Sequence, residues 1–280
     1  MAILLLVLLN SVTGLAYAGD KSTPKRIVTA GGSITEIMYA LGLEKRVIGI
    51  DTSSNYPPRV SALPKVGYYR GLAAEGIMSL NPDMLVVAKG AGPEVVLKQI
   101  KSLGVKVKAY EQSQYTQEAW AATIKKIGSD FNRPKAATNL INSVFKGIEN
   151  YQNTRHFEPK RINAITLLSV GQRGPIAAGR NTVPNFLMSL AGINNAAVAL
   201  DGYKPFSTEL LAEQKVDMVL VPSHIADGLG GKEAICANQI IKMATSNKCN
   251  LFVMDGLLLM GFGARLDQAI GEIIRFANGV

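Results

Sequence analysis

The chain has 280 residues, 48% of them hydrophobic, which is too long for one small core and fits one large domain or two lobes of ordinary size, so disorder is excluded. Thirty Lys and Arg against 21 Asp and Glu leave a net charge of +9, but the basic residues stand singly or in pairs such as Lys45-Arg46 and Lys125-Lys126. That spacing suits attraction of a dianionic small ligand and argues against a nucleic-acid partner, which wants clustered cations interleaved with aromatics.

At the start, Ile3 to Leu9 form an apolar run too short to span a bilayer, and Ala16-Tyr17-Ala18 is a small-x-small site before Gly19. Residues 1–18 are therefore read as a signal peptide, although no Lys or Arg precedes the run. No cysteine follows the run, so the expectation is a periplasmic protein without a lipid anchor and not embedded in a membrane. Cys236 and Cys249 favour a disulfide in that oxidising compartment, although spacing alone fixes no geometry. With two cysteines and the two histidines His156 and His224, the chain is too poor in ligands for a structural zinc site.

Arg26 to Ala30 reads as a strand, Gly31-Gly32 as a turn, and Ser33 with Glu36 as a capping box opening a helix that Gly42 ends. The glycine pair lacks a dinucleotide fingerprint, and the chain holds no Gly-Lys-Ser/Thr phosphate loop. Val47 to Asp51 is the second strand. The segment Leu63 to Asp83 then places Gly67-Tyr68-Tyr69-Arg70 ahead of a short helix near Glu75, and Met84 to Ala88 follows as a buried parallel strand. Phenolate is a hard anionic donor suited to ferric iron, tyrosine is a known ligand of haem iron, and a nearby cation favours ionisation. A loop tyrosine also packs by its ring alone, and both readings stand on these residues. Pro93 opens a helix through Leu103, and Val105 to Tyr110 alternates as an edge strand. Strands and helices alternating at this length predict a parallel sheet covered on both faces.

From Pro134 to about Arg155, Ala137, Ile141, Val144 and Ile148 recur at helical spacing, predicting one long amphipathic helix with His156 as a structural residue at its end. Glu75 to Val87 aligns without gaps with Glu209 to Val221, so the second half repeats the first. Strands are expected at 162–168, 217–222 and 251–255, with helices near 183–191, 232–244 and 264–277. The fold class is α/β: two Rossmann-like lobes with parallel sheets, 24–132 and 159–280, joined by a helix at 134–155, with a ligand cleft between the lobes beyond the strands' carboxyl ends. No Gly-x-Ser-x-Gly elbow and no His-Glu-x-x-His motif is present, so the chain is read as no enzyme and without catalytic residues.

Val66 to Arg70, Ala74 to Asp83, Ala178 to Thr182, Leu190 to Ala196, Gly202 to Pro205 and Leu259 to Arg265 together resemble the periplasmic haem-binding proteins of bacterial haem ABC importers, from about Arg26 to about Phe276. The resemblance implies that the cargo is haem (haem b) and that Tyr68, directly after the glycine, ligates its iron, with Tyr69 the lesser candidate. It further implies a monomeric carrier, active in iron acquisition, that docks on a permease dimer with its ATPase subunits through Glu75 and Glu209. Arg70, Arg180 and Arg265 are candidates to pair haem propionates, since guanidinium matches carboxylate geometry. His224 stands where relatives often hold an arginine, so ligating iron, donating to Tyr68 and having no role all stay open. Ser169 and Val170 replace a histidine that some relatives place there. The alternatives are a corrinoid or ferric-siderophore carrier of the same architecture and, in another class, a periplasmic tetrapyrrole or metal enzyme.

Overall fold

The computed structural model describes residues 24–110, 114–156, 158–170 and 174–280, so the expected signal peptide lies outside the described residues. In the first lobe the order is β1 (Ile27–Ala30), α1 (Gly32–Ala40), β2 (Val47–Ile50), α2 (Ala74–Met78), β3 (Met84–Ala88), α3 (Glu94–Ser102), β4 (Lys106–Tyr110) and α4 (Gln117–Asp130). The four strands form one parallel sheet in the order β2-β1-β3-β4, with β4 at the edge as its alternating pattern predicts. β1 and β3 are the central pair, and Ile27, Val28, Leu85 and Val86 are fully buried, as two covered faces require.

Helix α5 (Pro134–Gln152) then crosses to the second lobe. Its buried stripe is Ala137, Ile141, Val144 and Ile148, the residues read from the helical repeat. The second lobe contains β5 (Asn163–Ser169), β6 (Ile176–Ala178), α6 (Val183–Ala191), β7 (Asn194–Asn195), β8 (Tyr203–Pro205), α7 (Thr208–Glu213), β9 (Met218–Pro222), α8 (Ser223–Gly228), α9 (Gly231–Ala237), α10 (Gln239–Ala244), β10 (Leu251–Met254), α11 (Gly256–Met260) and α12 (Leu266–Ala277). Here the expectation of a parallel sheet needs correction. β10, β9, β5 and β7 pair in parallel, but β6 and β8 join antiparallel, so the second sheet is mixed. The predicted helix at 232–244 is two short helices, because Asn238 has extended backbone and caps α10 through its own side chain. Cys236 and Cys249 form a disulfide with Cα atoms 5.6 Å apart, tying α9 to the turn before β10. Closing so short a loop stabilises by about 3 kcal/mol. No helix of the described residues is long and apolar enough to cross a membrane.

The lobes share one continuous hydrophobic core, in which Ile37 and Trp120 of the first lobe belong to the same cluster as Leu187 and Ile270 of the second. At its centre lies a correction to the capping box. Glu36 does not cap α1, whose N-cap is Gly31 with no side-chain bond. Its side chain is 3% exposed and reaches into the other lobe, where Oε2 accepts from the Ala264 amide at 3.1 Å and Oε1 from Arg265 Nε at 2.8 Å and from Arg265 Nη2. The Arg265 guanidinium lies 3.6 Å from the ring centre of Tyr56, and the Trp120 indole donates to the Gly263 carbonyl at 2.8 Å. A Cβ on Gly263 would collide with Glu36, so glycine is what lets the carboxylate in.

Burial raises the Glu36 carboxyl above its usual range, outweighing the Arg265 hydrogen bond and charge that pull it down. A folded-state value above the unfolded one means that this group favours folding most at acid pH and least once pH has risen through its folded value. Arg265→Met should cost about 3–5 kcal/mol, because it strands a buried carboxylate, whereas Glu36→Gln should cost less. Its deficit should be smallest near pH 4 and grow toward neutrality, since removal of the arginine pushes the carboxyl higher still. Urea midpoints at several pH values check this, and an equal deficit throughout would mean that buried charge is not its cause.

Candidate ligand cleft between the lobes

The carboxyl ends of both sheets face one another across a cleft of about 810 Å³, near the upper end for small-molecule sites. Gly31, Thr52, Lys89 and Tyr110 line it from the ends of β1, β2, β3 and β4, while Ser223, His224 and Gly256 line it from the ends of β9 and β10. The floor is tight. A Cβ on Gly32 would come within 2.6 Å of Leu257 on the opposite lobe.

A buried polar network fixes the first lobe's side. Asp51, fully buried, accepts from the Gly31 amide at 2.9 Å, the Ser53 amide at 2.9 Å, the Ser53 hydroxyl at 2.5 Å and the Ser54 hydroxyl at 2.6 Å. Gly31 has φ +112° and packs against Ala88 so closely that no Cβ fits, which explains the glycine at this turn. Thr52, next to Asp51, donates its amide to the Gly67 carbonyl at 2.8 Å, passing the constraint to the tyrosine loop.

That loop is pinned at both ends by buried Val66 and Leu72, and Gly67 turns it at φ +94°, which L side chains disfavour. The Gly71 amide donates to the Tyr68 carbonyl at 2.8 Å and the Gly92 amide to the Tyr69 carbonyl at 2.9 Å. The two rings meet edge to face with centres 4.8 Å apart, and both line the cleft with Arg70. Arg70 Nε donates to the Tyr69 hydroxyl at 2.7 Å, so the cation serves Tyr69 more closely than Tyr68. Tyr68 is half-exposed, and its phenol is raised above the usual value chiefly by desolvation and then by Tyr69, against a smaller opposing effect of Arg70. Arg70 does ease Tyr68 ionisation, as the sequence suggests, but desolvation and Tyr69 outweigh it.

Of the predicted pocket residues, the structure gathers Tyr68, Tyr69, Arg70 and His224 in the cleft. Arg180 and Arg265 are not among its lining residues. Arg180 donates to the Ala199 carbonyl at 2.9 Å and lies 3.7 Å from Asp201, and Arg265 is spent on Glu36. Sequence reasoning missed Lys89, Tyr110, Tyr115, Tyr203 and Phe262 as cleft residues. Lys89 and Tyr110 had a signal, since each stands at the carboxyl end of a strand already predicted. Tyr203 belongs to a strand no pattern announced. Its phenol is raised by desolvation, then by Tyr115 and Tyr69. The Tyr110 hydroxyl donates to Asp130 at 2.8 Å, leaving its ring to the cleft. Glu75 and Glu209 are exposed in the first turns of α2 and α7, far down the sequence from each other and outside the cleft lining. Ser207 caps α7 by accepting from the Leu210 amide at 3.0 Å, and hydrogen bonds at this helix start hold the Glu209 carboxyl below its usual value.

Two α/β lobes, one long connecting helix and a cleft lined by strand ends are the architecture of a two-lobed binding protein. The chain belongs to the periplasmic binding protein family, whose profile matches residues 27–253. Among solved structures it is similar to the periplasmic heme-binding protein RhuT from Roseiflexus sp. RS-1 in apo form, with 29% identity, a TM-score of 0.83 and coverage of 91% of this chain and 98% of that one. It is likewise similar to the periplasmic heme-binding protein HutB of Vibrio cholerae, at 32% identity and TM-score 0.80 over 90% of this chain and 98% of that one. A vitamin B12-binding protein of Photorhabdus laumondii is 27% identical over 148 residues, 53% of this chain and 52% of that protein.

In the ligand-free protein, ultraviolet titration should show Tyr68 ionising above the ordinary phenol value of about 10. Tyr68→Phe should remove one phenol from that far alkaline part of the curve, and Arg70→Gln should move the Tyr68 step higher. Loss of a step at the ordinary value instead would contradict the desolvation argument.

Proposed function

We propose that the protein is a periplasmic carrier of ferric haem, taken into the inter-lobe cleft through the Tyr68 phenolate and handed to an inner-membrane ABC permease dimer with its ATPase subunits. The observation that carries this reading is the Gly67-Tyr68-Tyr69-Arg70 turn, held by backbone bonds from Thr52 and Gly92 so that both rings open into the cleft. A ferric ion next to Tyr68 favours the phenolate strongly enough to overcome desolvation, just as bound metals invert local ionisation elsewhere. Arg70 and Lys89 on the same wall suit the propionates, and the net charge of +9 draws in an anionic ligand. The heme-binding names of two similar structures at 29% and 32% identity support the same cargo.

A corrinoid is the second reading, favoured by the similarity to a vitamin B12-binding protein. It requires no protein ligand to the metal, so the two part on Tyr68. Titration with hemin should give a tyrosinate-type ferric spectrum that Tyr68→Ala abolishes, with no saturable binding of cyanocobalamin. Tight cyanocobalamin binding together with an unchanged hemin spectrum in Tyr68→Ala would favour the corrinoid. Recovery of intact haem by mass spectrometry after incubation distinguishes a carrier from a haem-modifying enzyme.

Glu75 and Glu209 occupy equivalent places in the repeated halves, exposed at helix starts. A permease of two like subunits would present one basic pocket to each. Glu75→Ala with Glu209→Ala should leave hemin binding unchanged and abolish transport in a reconstituted importer. Lys at both positions should be worse than Ala, through added repulsion. Normal uptake by the double Ala variant would leave both residues as helix-start carboxylates only.

A further inference from the structure

His224 is an imidazole with nothing to do in the protein alone. It follows β9 directly, in the first turn of α8, is exposed, and lines the cleft from the second lobe. Among the described residues neither ring nitrogen has a hydrogen-bond or ion-pair partner, and none joins it to Tyr68. The chain's other histidine, His156, stands beyond the end of α5 and outside the cleft.

Its orientation is set by a glycine. A Cβ on Gly256 would collide with His224 Nδ1 and lie 2.8 Å from Cε1, so the Nδ1 edge of the ring is packed against the start of α11. The Nε2 side is thereby the one turned away from the backbone. Gly256 has no positive φ and its next nearest neighbour is Pro222 at 3.6 Å, so the need for glycine here is the space that the imidazole takes. Gly256 is itself held where it is, its amide donating to the Ser223 hydroxyl at 3.3 Å.

A flat cargo seated between two lobes shows one face to each. The first lobe offers Tyr68 to its face. On the second lobe's wall the other metal donors are Tyr203 and Met260. Burial raises the Tyr203 phenol much further than that of Tyr68, and Met260 packs against the shared core with a thioether softer than imidazole. Both cysteines are locked in the disulfide. Neutral imidazole is the remaining donor, and it suits iron.

Resting on the haem reading of the cleft, we propose that His224 is a second ligand to the cargo's iron, reaching it from the face opposite Tyr68, and that Gly256 is the positioning residue that keeps the imidazole aimed there. The bond is a coordinate bond from the Nε2 lone pair to the vacant axial position, with no change of oxidation state. No group of three or more protein ligands exists among the described residues to hold a metal by itself, so the two donors serve a metal that arrives inside its cargo.

The test uses ferric haem and the full mature chain. Wild type should give a six-coordinate spectrum, and His224→Gly should convert it to a five-coordinate tyrosinate spectrum that added imidazole reverses. Tyr68→Ala should retain an imidazole-bound spectrum. Gly256→Ala should reproduce the His224→Gly spectrum and weaken haem binding about tenfold or more, in the range seen when a metal ligand loses its outer support. Added to His224→Gly, it should change nothing further, because its effect runs through the ring. Identical spectra for wild type and His224→Gly overturn the proposal while leaving the Tyr68 reading intact, and conversion by Met260→Leu in place of His224→Gly overturns it in favour of the thioether. Failure of wild type to bind haem at all removes the carrier reading and this proposal with it.

Discussion

A buried carboxylate of one lobe, satisfied only by the other, governs this molecule. Glu36 is carried into the second lobe by α1 and meets the Ala264 amide and the Arg265 guanidinium there. Separating the lobes at this point would leave each charge buried without its partner or force water into an apolar seam, and either costs several kcal/mol. The same segment, from Gly261 to Arg265, also takes the Trp120 hydrogen bond and sets Phe262 against Tyr115 with ring centres 5.3 Å apart. Helix α5 and α12 reinforce the arrangement, coming so close that a Cβ on Gly271 would lie 2.6 Å from the Tyr151 ring. These contacts tie the lobes together below the cleft and fix how its walls meet.

A fixed cleft makes the placing of individual groups decisive. The two adjacent tyrosines share a turn but differ in electrostatics. Tyr69 receives the Arg70 donor, whereas Tyr68 is half-exposed and held protonated by desolvation and its neighbour. That asymmetry cuts two ways: the Arg70 donor would favour a phenolate on Tyr69, while the hydroxyl of half-exposed Tyr68 is the one that Arg70 leaves unengaged. Arg70 is a nearby cation that favours either phenolate, and at Tyr68 desolvation outweighs it.

What could be read from the sequence follows how local each feature is. β3 and β9 were visible as continuous apolar runs, and α5 from Ala137, Ile141, Val144 and Ile148 at helical spacing, because each pattern is complete within its own segment. β6 and β8 were not, being three residues each and held by antiparallel pairing rather than by burial of a repeating face. Ser33 and Glu36 match a capping box, yet the partner that claims Glu36 lies 229 residues away, beyond the reach of any local rule. The engagement of Arg265 is hidden from the sequence for the same reason. An arginine near the end of a chain looks like a spare cation until the carboxylate it neutralises is seen. The tyrosine loop was legible because its chemistry sits in consecutive residues, while Tyr115 and Tyr203 come from separate segments that only the tertiary fold unites.

The repeat adds a relation between cleft and surface. In the first lobe the chain runs from Tyr68 on the cleft wall to Glu75 in the first turn of α2, and in the second from Tyr203 on the wall to Glu209 in the first turn of α7. Either stretch reaches about 25 Å at most when fully extended. In alternating α/β units a helix that returns antiparallel to its strands starts at the strands' carboxyl edge, which here is the cleft edge. The two carboxylates therefore stand near the rim, one to each lobe, and a partner that engages both must lie across the mouth. Because Glu36 and Arg265 tie the lobes together beneath the cleft, such a partner would meet both contact points on one frame.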